Sequence, residues 1–269
     1  MSEQPLVGVG RTALGVARVR AHESARPDRL FDDPYAAEFV AAAPGVIPEP
    51  DGDRKHVGMV FAMHAIIRTR YYDDYLLAAG LPQVVLLAAG LDTRAFRLPW
   101  PAGTQVYEVD LPDVLAFKEK VLADATPDCH RTTVPADLRE DWSTALTDAG
   151  FDPERPTAWL VEGLLIYLDN EAAERLLTEI TVRSAPGSQV AFEYTTTATA
   201  GVLTQARATP AMAGYSSLWR GGLAGDSADW LRDHGWRPSV HPLADLAAGY
   251  GRPLRGTAAS SLLSAMRDG

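Results

Sequence analysis

The chain has 269 residues, enough for one large domain or two small ones, and can bury a sizeable core without disulfides or metals. Its 25 Lys and Arg against 35 Asp and Glu give a net charge of −10, which argues against a nucleic-acid binder held by a basic surface. Cys129 is the sole cysteine, so neither an intrachain disulfide nor a cysteine-based zinc cage can form. Met1–Gly10 lacks a basic stretch followed by an apolar run, and apolar runs such as Val84–Gly90 are far shorter than a membrane span. The expectation is a cytoplasmic protein with neither nucleic acid nor membrane as partner and no bound metal; a homo-oligomer stays open.

In chain order, residues 1–80 read as helices joined by loops. Thr12–Ser24 is rich in helix formers, and Ala36–Ala43 is a short helix ended by Pro44–Gly45. Val57–Ala79 is a long helix with Met59, Met63, Ile66, Ile67 and Leu77 near helical spacing, stopped by Gly80 and Pro82. The pattern then changes. Val84–Leu87 is a short, wholly apolar run, the signature of a strand buried on both faces. Strands follow at Gln105–Val109, Thr132–Pro135, Ala158–Val161 and Gln189–Tyr194, alternating with helices at Leu111–Ala123, Trp142–Asp148 and Asn170–Arg183. Alternation of this kind predicts βαβ units and a doubly wound α/β sheet. Thr195–Gly225 reads as helix and loop, Asp226–His234 as a short capped helix, and Trp236–Val240 with Thr257–Leu263 as an antiparallel pair that closes the sheet. No internal repeat or low-complexity linker interrupts the chain, so one domain with an N-terminal helical extension is expected, residues 1–80 forming the cap and 81–269 the core.

Charged residues recur where these strands end. Ala88-Ala89-Gly90 is a loop of small residues between the first strand and a helical segment, where a backbone can approach a ligand closely. It is neither a GxGxxG fingerprint nor a phosphate loop. About twenty residues on, Glu108 and Asp110 close the second strand, the spacing at which α/β folds place an acid on ribose hydroxyls. Asp137 follows the third strand and Glu162 the fourth. Glu162 sits among apolar residues, so it is either a ligand-binding acid or the partner of a buried arginine.

Together these segments resemble the leucine carboxyl methyltransferase family, including its bacterial members acting on small molecules. The resemblance runs over most of the chain: Thr12–Ser24, Leu30–Pro34, Ile67–Asp74, Ala88–Leu98, Glu108–Pro112 with Phe117-Lys118, Ala136–Leu138, Glu162–Leu168 and His234–Trp236. It implies a Rossmann-like class I methyltransferase fold with an N-terminal helical cap, and S-adenosyl-L-methionine as cofactor. By matching motif, Arg68 would pair with the carboxylate of the cofactor's methionine moiety and Glu162 would face its amino group. The loop Ala88, Ala89, Gly90 would run against methionine and ribose. Asp110, followed by Leu111, would hold the ribose hydroxyls, with Glu108 as rival, and Asp137 and Leu138 would contact adenine. Ala88 stands where the family commonly has the first glycine of Gly-Ala-Gly.

The resemblance therefore implies an O-methyltransferase. An ionised carboxylate acceptor needs no base, whereas a phenol benefits from one. His64, His130, His234 and His241 have no evident acidic partner in sequence, so no catalytic residue is assigned and a carboxylate acceptor is mildly favoured. The acceptor pocket is expected between the N-terminal helices and the segment after the fifth strand, with Tyr71, Tyr167, Tyr194, Tyr215 and Trp219 as candidate walls. Such a pocket suits a small natural-product acceptor. Methylation of a protein C-terminus and a non-catalytic cofactor-binding module are the alternatives.

Overall fold

The computed structural model describes residues 9–46, 54–196, 217–254 and 260–269. Seven strands form one sheet in the order β3-β2-β1-β4-β5-β7-β6. They are β1 (Gln83–Leu87), β2 (Gln105–Asp110), β3 (His130–Pro135), β4 (Thr157–Val161), β5 (Gln189–Glu193), β6 (Trp236–Pro242) and β7 (Ser261–Arg267). The first five run parallel, and β7 is antiparallel to both its neighbours. The order turns outward in both directions from β1 and β4, the point where open α/β sheets leave a crevice beyond the carboxyl ends of the strands.

Alternation along the strands divides the core in two. Val84, Leu86, Val106, Ala158, Leu160, Ala191 and Leu262 face one side, and Val85, Leu87, Tyr107, Trp159, Val161, Phe192 and Leu263 the other. The first side is covered by α1 (Val9–Ser24), α2 (Ala36–Ala42), α3 (Arg54–Ala79), α5 (Pro112–Val121) and the late α9 (Leu243–Gly249). The second is covered by α6 (Trp142–Asp148), α7 (Asn170–Val182) and α8 (Ser227–Asp233). The N-terminal helices thus complete a layer of the sheet: Ile67, Tyr72 and Leu76 of α3 share a cluster with the residues of β1 and β4. A single turn, α4 (Arg94–Arg97), follows β1.

Local chemistry sets the boundaries. Gly80, at φ +57°, ends α3, as its sequence position predicts. Pro112 starts α5 where its missing N–H costs nothing, so that helix begins after Leu111. Asp141, Asp169 and Asp226 cap α6, α7 and α8 by accepting backbone N–H groups. The closing antiparallel pair forms as expected, but β7 lies further along than Thr257–Leu263, because Leu262, Leu263 and Ala265 are the residues the core buries.

Candidate functional site

β1 delivers the chain to a tight turn at Ala88–Gly90. Ala88 has φ +53° and Gly90 φ +50°, both left-handed, and Ala88 is the sole non-glycine in that region among the described residues. The Ala89 N–H bonds Val109 O at 3.1 Å, and the Gly90 N–H reaches Asp110 Oδ2 at 2.5 Å. Asp110 also accepts the Leu111 N–H on Oδ1 at 2.7 Å. One carboxylate therefore joins the loop after β1 to the end of β2. Burial pushes its pKa up, against the two N–H bonds that hold it down.

Glu108, the other acid at the end of β2, answers two cations. It is fully buried, with Lys118 Nζ and Arg131 Nη2 each 2.7 Å from its Oε2. Of the two acids that end β2, Asp110 lies further along the strand and retains partial exposure.

Next along the carboxyl edge stands a chain of buried and half-buried ions. Arg68, on α3, donates Nε to Glu162 Oε1 and Nη1 to Glu193 Oε1, each at 2.8 Å. Arg94 donates Nη1 to Glu162 Oε2 at 2.8 Å and Nε to Asp73 Oδ1 at 2.7 Å, and pairs with Asp92. Arg97 closes on both oxygens of Asp73 at 2.7 and 2.8 Å. Glu162 is thus the partner of two arginines, the buried Arg94 and the half-buried Arg68. Burial alone would raise the Glu162 pKa, but Arg94 and Arg68 hold it below the usual range. Burial pushes Asp92 the same way, and Arg94, Lys118 and Arg20 bring it down to about 2. Glu193 goes up, because burial and Glu162 together outweigh Arg68.

Sequence reasoning missed Asp73, Asp92, Arg94 and Glu193 as members of this cluster. Asp92 and Arg94 carried a signal, since two opposite charges interrupt an apolar strand-to-helix turn. Glu193 had only its place at a strand end.

One turn before Arg68, His64 is half-buried and has no hydrogen-bond partner among the described residues. Burial and the Arg68 charge bring its pKa down to about 4 against the pull of Glu162, so the imidazole is neutral at pH 7.

Asp137 is more exposed. It accepts the N–H and the Nε of its neighbour Arg139, both at 2.9 Å, which lowers its pKa. Leu138 is half-buried and packs against the second core cluster.

The aromatic walls fare unevenly. Tyr71 is core: its ring lies 5.4 Å from Tyr72 and 5.1 Å from His241. Tyr194 gives its hydroxyl to Asp226, the cap of α8, and packs against the second core, so it anchors a helix. Tyr167 is half-buried in the turn Leu165–Tyr167. The segment carrying the half-buried Trp219 docks on that turn, with the N–H groups of Arg220 and Gly221 on Ile166 O at 2.8 and 3.2 Å. Tyr215 lies outside the described residues. Among the described residues no group of three or more His, Cys, Asp or Glu is placed to hold a metal ion.

This sheet order, with charged groups aligned on its carboxyl edge, defines a class I methyltransferase fold. A family model described as leucine carboxyl methyltransferase matches residues 13–181, and the chain belongs to that family. It is 52% identical to a protein of Parafrankia sp. (strain EAN1pec), over 94% of this chain and 84% of the other. It is 45% identical to a protein of Streptomyces coelicolor, over 92% and 89%. Both carry the provisional name S-adenosyl-L-methionine-dependent methyltransferase. A crystal structure from Thermobifida fusca, provisionally titled a methyltransferase, shares the fold with a TM-score of 0.53 at 19% identity, covering 94% of each chain.

Proposed function

We propose that the protein is an S-adenosyl-L-methionine-dependent O-methyltransferase acting on a small molecule, a polyketide-like carboxylate or phenol. The observation that carries this reading is the row of groups along one sheet edge: Asp110 after β2, the left-handed loop after β1, Glu162 after β4, and Arg68 facing Glu162. Family membership and the relatives' names support the cofactor.

The residues present fit the group. Gly90 leaves the loop open to a close approach, since a Cβ there would first meet the Ala13 methyl at 3.6 Å. The carboxylate of Asp110 keeps lone pairs beyond the two N–H bonds it accepts, enough to take ribose hydroxyls. Arg68 would take the carboxylate of the amino-acid end, Glu162 its ammonium, and Asp137 with Leu138 the adenine. When bound, the cofactor supplies a methyl carbon on a cationic sulfur. The work left to this chain is to bind, align and exclude water. A carboxylate acceptor would arrive ionised. A phenol would benefit from a proton acceptor, and the imidazole of His64, neutral and without a hydrogen bond among the described residues, stands one helical turn from Arg68.

The net charge of −10 supports a small acceptor over a nucleic acid. The half-buried Tyr167 and Trp219, on segments after the ends of β4 and β5, suit an apolar ring. Among the described residues no helix is long and apolar enough to cross a membrane.

Calorimetric titration with S-adenosyl-L-methionine tests the first step. Saturable binding is expected, weakened strongly by Asp110→Ala; absence of binding up to millimolar cofactor overturns the proposal. Incubation with carboxylic acids, phenols and peptides, read by mass spectrometry before and after mild base, then separates methyl esters from methyl ethers and small acceptors from protein termini.

A further inference from the structure

Arg68 is held by two carboxylates, and one of them, Glu162, is a residue the family resemblance already places at the site. The second is Glu193, the last residue of β5. Its Oε1 accepts from Arg68 Nη1 at 2.8 Å, and its two oxygens share the Gly163 N–H at 2.9 and 3.0 Å. Gly163 has φ +66°, and a Cβ there would stand 3.5 Å from Arg68 Nη1, so this turn packs directly against the guanidinium. Glu193 is fixed in its turn: β5 lies between β4 and β7, and the preceding Phe192 and Ala191 are fully buried.

An arginine is long, and its guanidinium gains a defined direction only when its edges are engaged. Here Glu162 takes Nε and Glu193 takes Nη1. Nη2 makes no hydrogen bond among the described residues. The two acids thus fix the guanidinium and leave one nitrogen, already stripped of most water, with hydrogen-bonding capacity to spare beside the Gly163 turn, where a Cβ would stand 3.6 Å from it.

We propose that Glu193 is a positioning residue for the amino-acid end of the cofactor: by clamping Arg68 and the Gly163 turn from β5, it aims the free Arg68 Nη2 at the ligand's carboxylate. The inference rests on the cofactor reading above. It assigns Glu193 no contact with the reacting atoms and no proton to transfer. Its rival is a competing carboxylate that the ligand must displace, which predicts the opposite sign.

The test uses three ligands and needs no acceptor. S-adenosyl-L-methionine and S-adenosylhomocysteine carry the amino-acid end; 5′-methylthioadenosine lacks it and keeps adenine and ribose. Binding of each is measured by calorimetry to the wild-type protein, Glu193→Gln and Glu193→Ala. The amide keeps an acceptor oxygen for Arg68 and Gly163, so Glu193→Gln retains the clamp geometry without its charge.

Glu193→Ala is expected to weaken both amino-acid-bearing ligands by about tenfold or more, the scale of a hydrogen bond to a charged group. Glu193→Gln is expected to fall between alanine and wild type, and 5′-methylthioadenosine to change less than about twofold in either variant. Equal losses for all three ligands would mark a general structural role and overturn the proposal. Unchanged or tighter binding of S-adenosylhomocysteine would overturn it in favour of competition. If the wild-type protein binds neither amino-acid-bearing ligand, the cofactor reading itself fails, a result distinct from a failure confined to the variants.

Discussion

Gly90 and Asp110, twenty residues apart, are joined by a 2.5 Å hydrogen bond from the backbone N–H of one to the carboxylate of the other. The bond crosses from the loop after β1 to the end of β2, so the shape of the loop and the charge proposed for ribose depend on one side chain. Asp110→Asn keeps the volume but replaces one acceptor oxygen by a donor, which cannot serve both Gly90 and Leu111. Cofactor affinity measured by calorimetry is expected to fall by about tenfold or more, since each lost bond to a charged group costs about 1.5–3 kcal/mol.

The neighbouring acid predicts the reverse pattern. Glu108 answers two cations, Lys118 and Arg131, and has no exposed surface. Glu108→Gln leaves the buried Lys118 without its counter-charge and Arg131 with Glu119 alone, at a cost of about 3–5 kcal/mol for a broken buried pair. The denaturation midpoint is expected to drop sharply, while the protein that remains folded binds the cofactor as before. Loss of affinity without loss of stability would return Glu108 to the binding site.

Ala88 makes the loop a place where a glycine should help. A left-handed conformation costs an alanine about 1–2 kcal/mol, and glycine about 0.5–1 kcal/mol through the unfolded chain. Ala88→Gly is therefore expected to leave the protein as stable or raise its melting temperature by a few degrees, whereas alanine-to-glycine changes inside helices lower it. Differential scanning calorimetry of Ala88→Gly beside a helical control such as Ala173→Gly checks the sign.

His64 offers a pH signature. Its folded pKa of about 4 lies below the 6.5 of an unperturbed imidazole, so the unfolded chain binds more protons between those values. The contribution of His64 to stability is full above pH 6.5 and is lost as the pH falls from there toward about 4. NMR titration of the imidazole signals should show one ring still neutral at pH 5, and that signal should vanish in His64→Phe. If every histidine titrates near 6.5, the burial argument is wrong.

The parallel half of the sheet was legible because β1 and β4 are buried on both faces and read as unbroken apolar runs. Short elements were less legible. The four residues of α4 and the Leu243–Gly249 helix are too brief for a periodic signal to develop. Spacing could not choose between Glu108 and Asp110, since alternate residues share a face. What decides is Lys118 arriving from α5 and Arg131 from β3, a three-dimensional fact. The burial of Tyr71 was not legible for a related reason: helical periodicity says which side of α3 a residue occupies, not that His241 of β6 arrives against its ring. Glu193 looked like any strand-end acid, because its partner lies 125 positions away in the chain.

The position of β7 also governs how the molecule can be assembled. It bridges β5 and β6, and among the described residues β6 has no other strand beside it. During synthesis, the parallel strands β1 to β5 can associate as they emerge, but β6 remains without a partner until residues 261–267 have been made and threaded between it and β5. Until then β5 presents an unpaired edge, and the strand that carries Glu193 is the last of the parallel set to be locked on both sides.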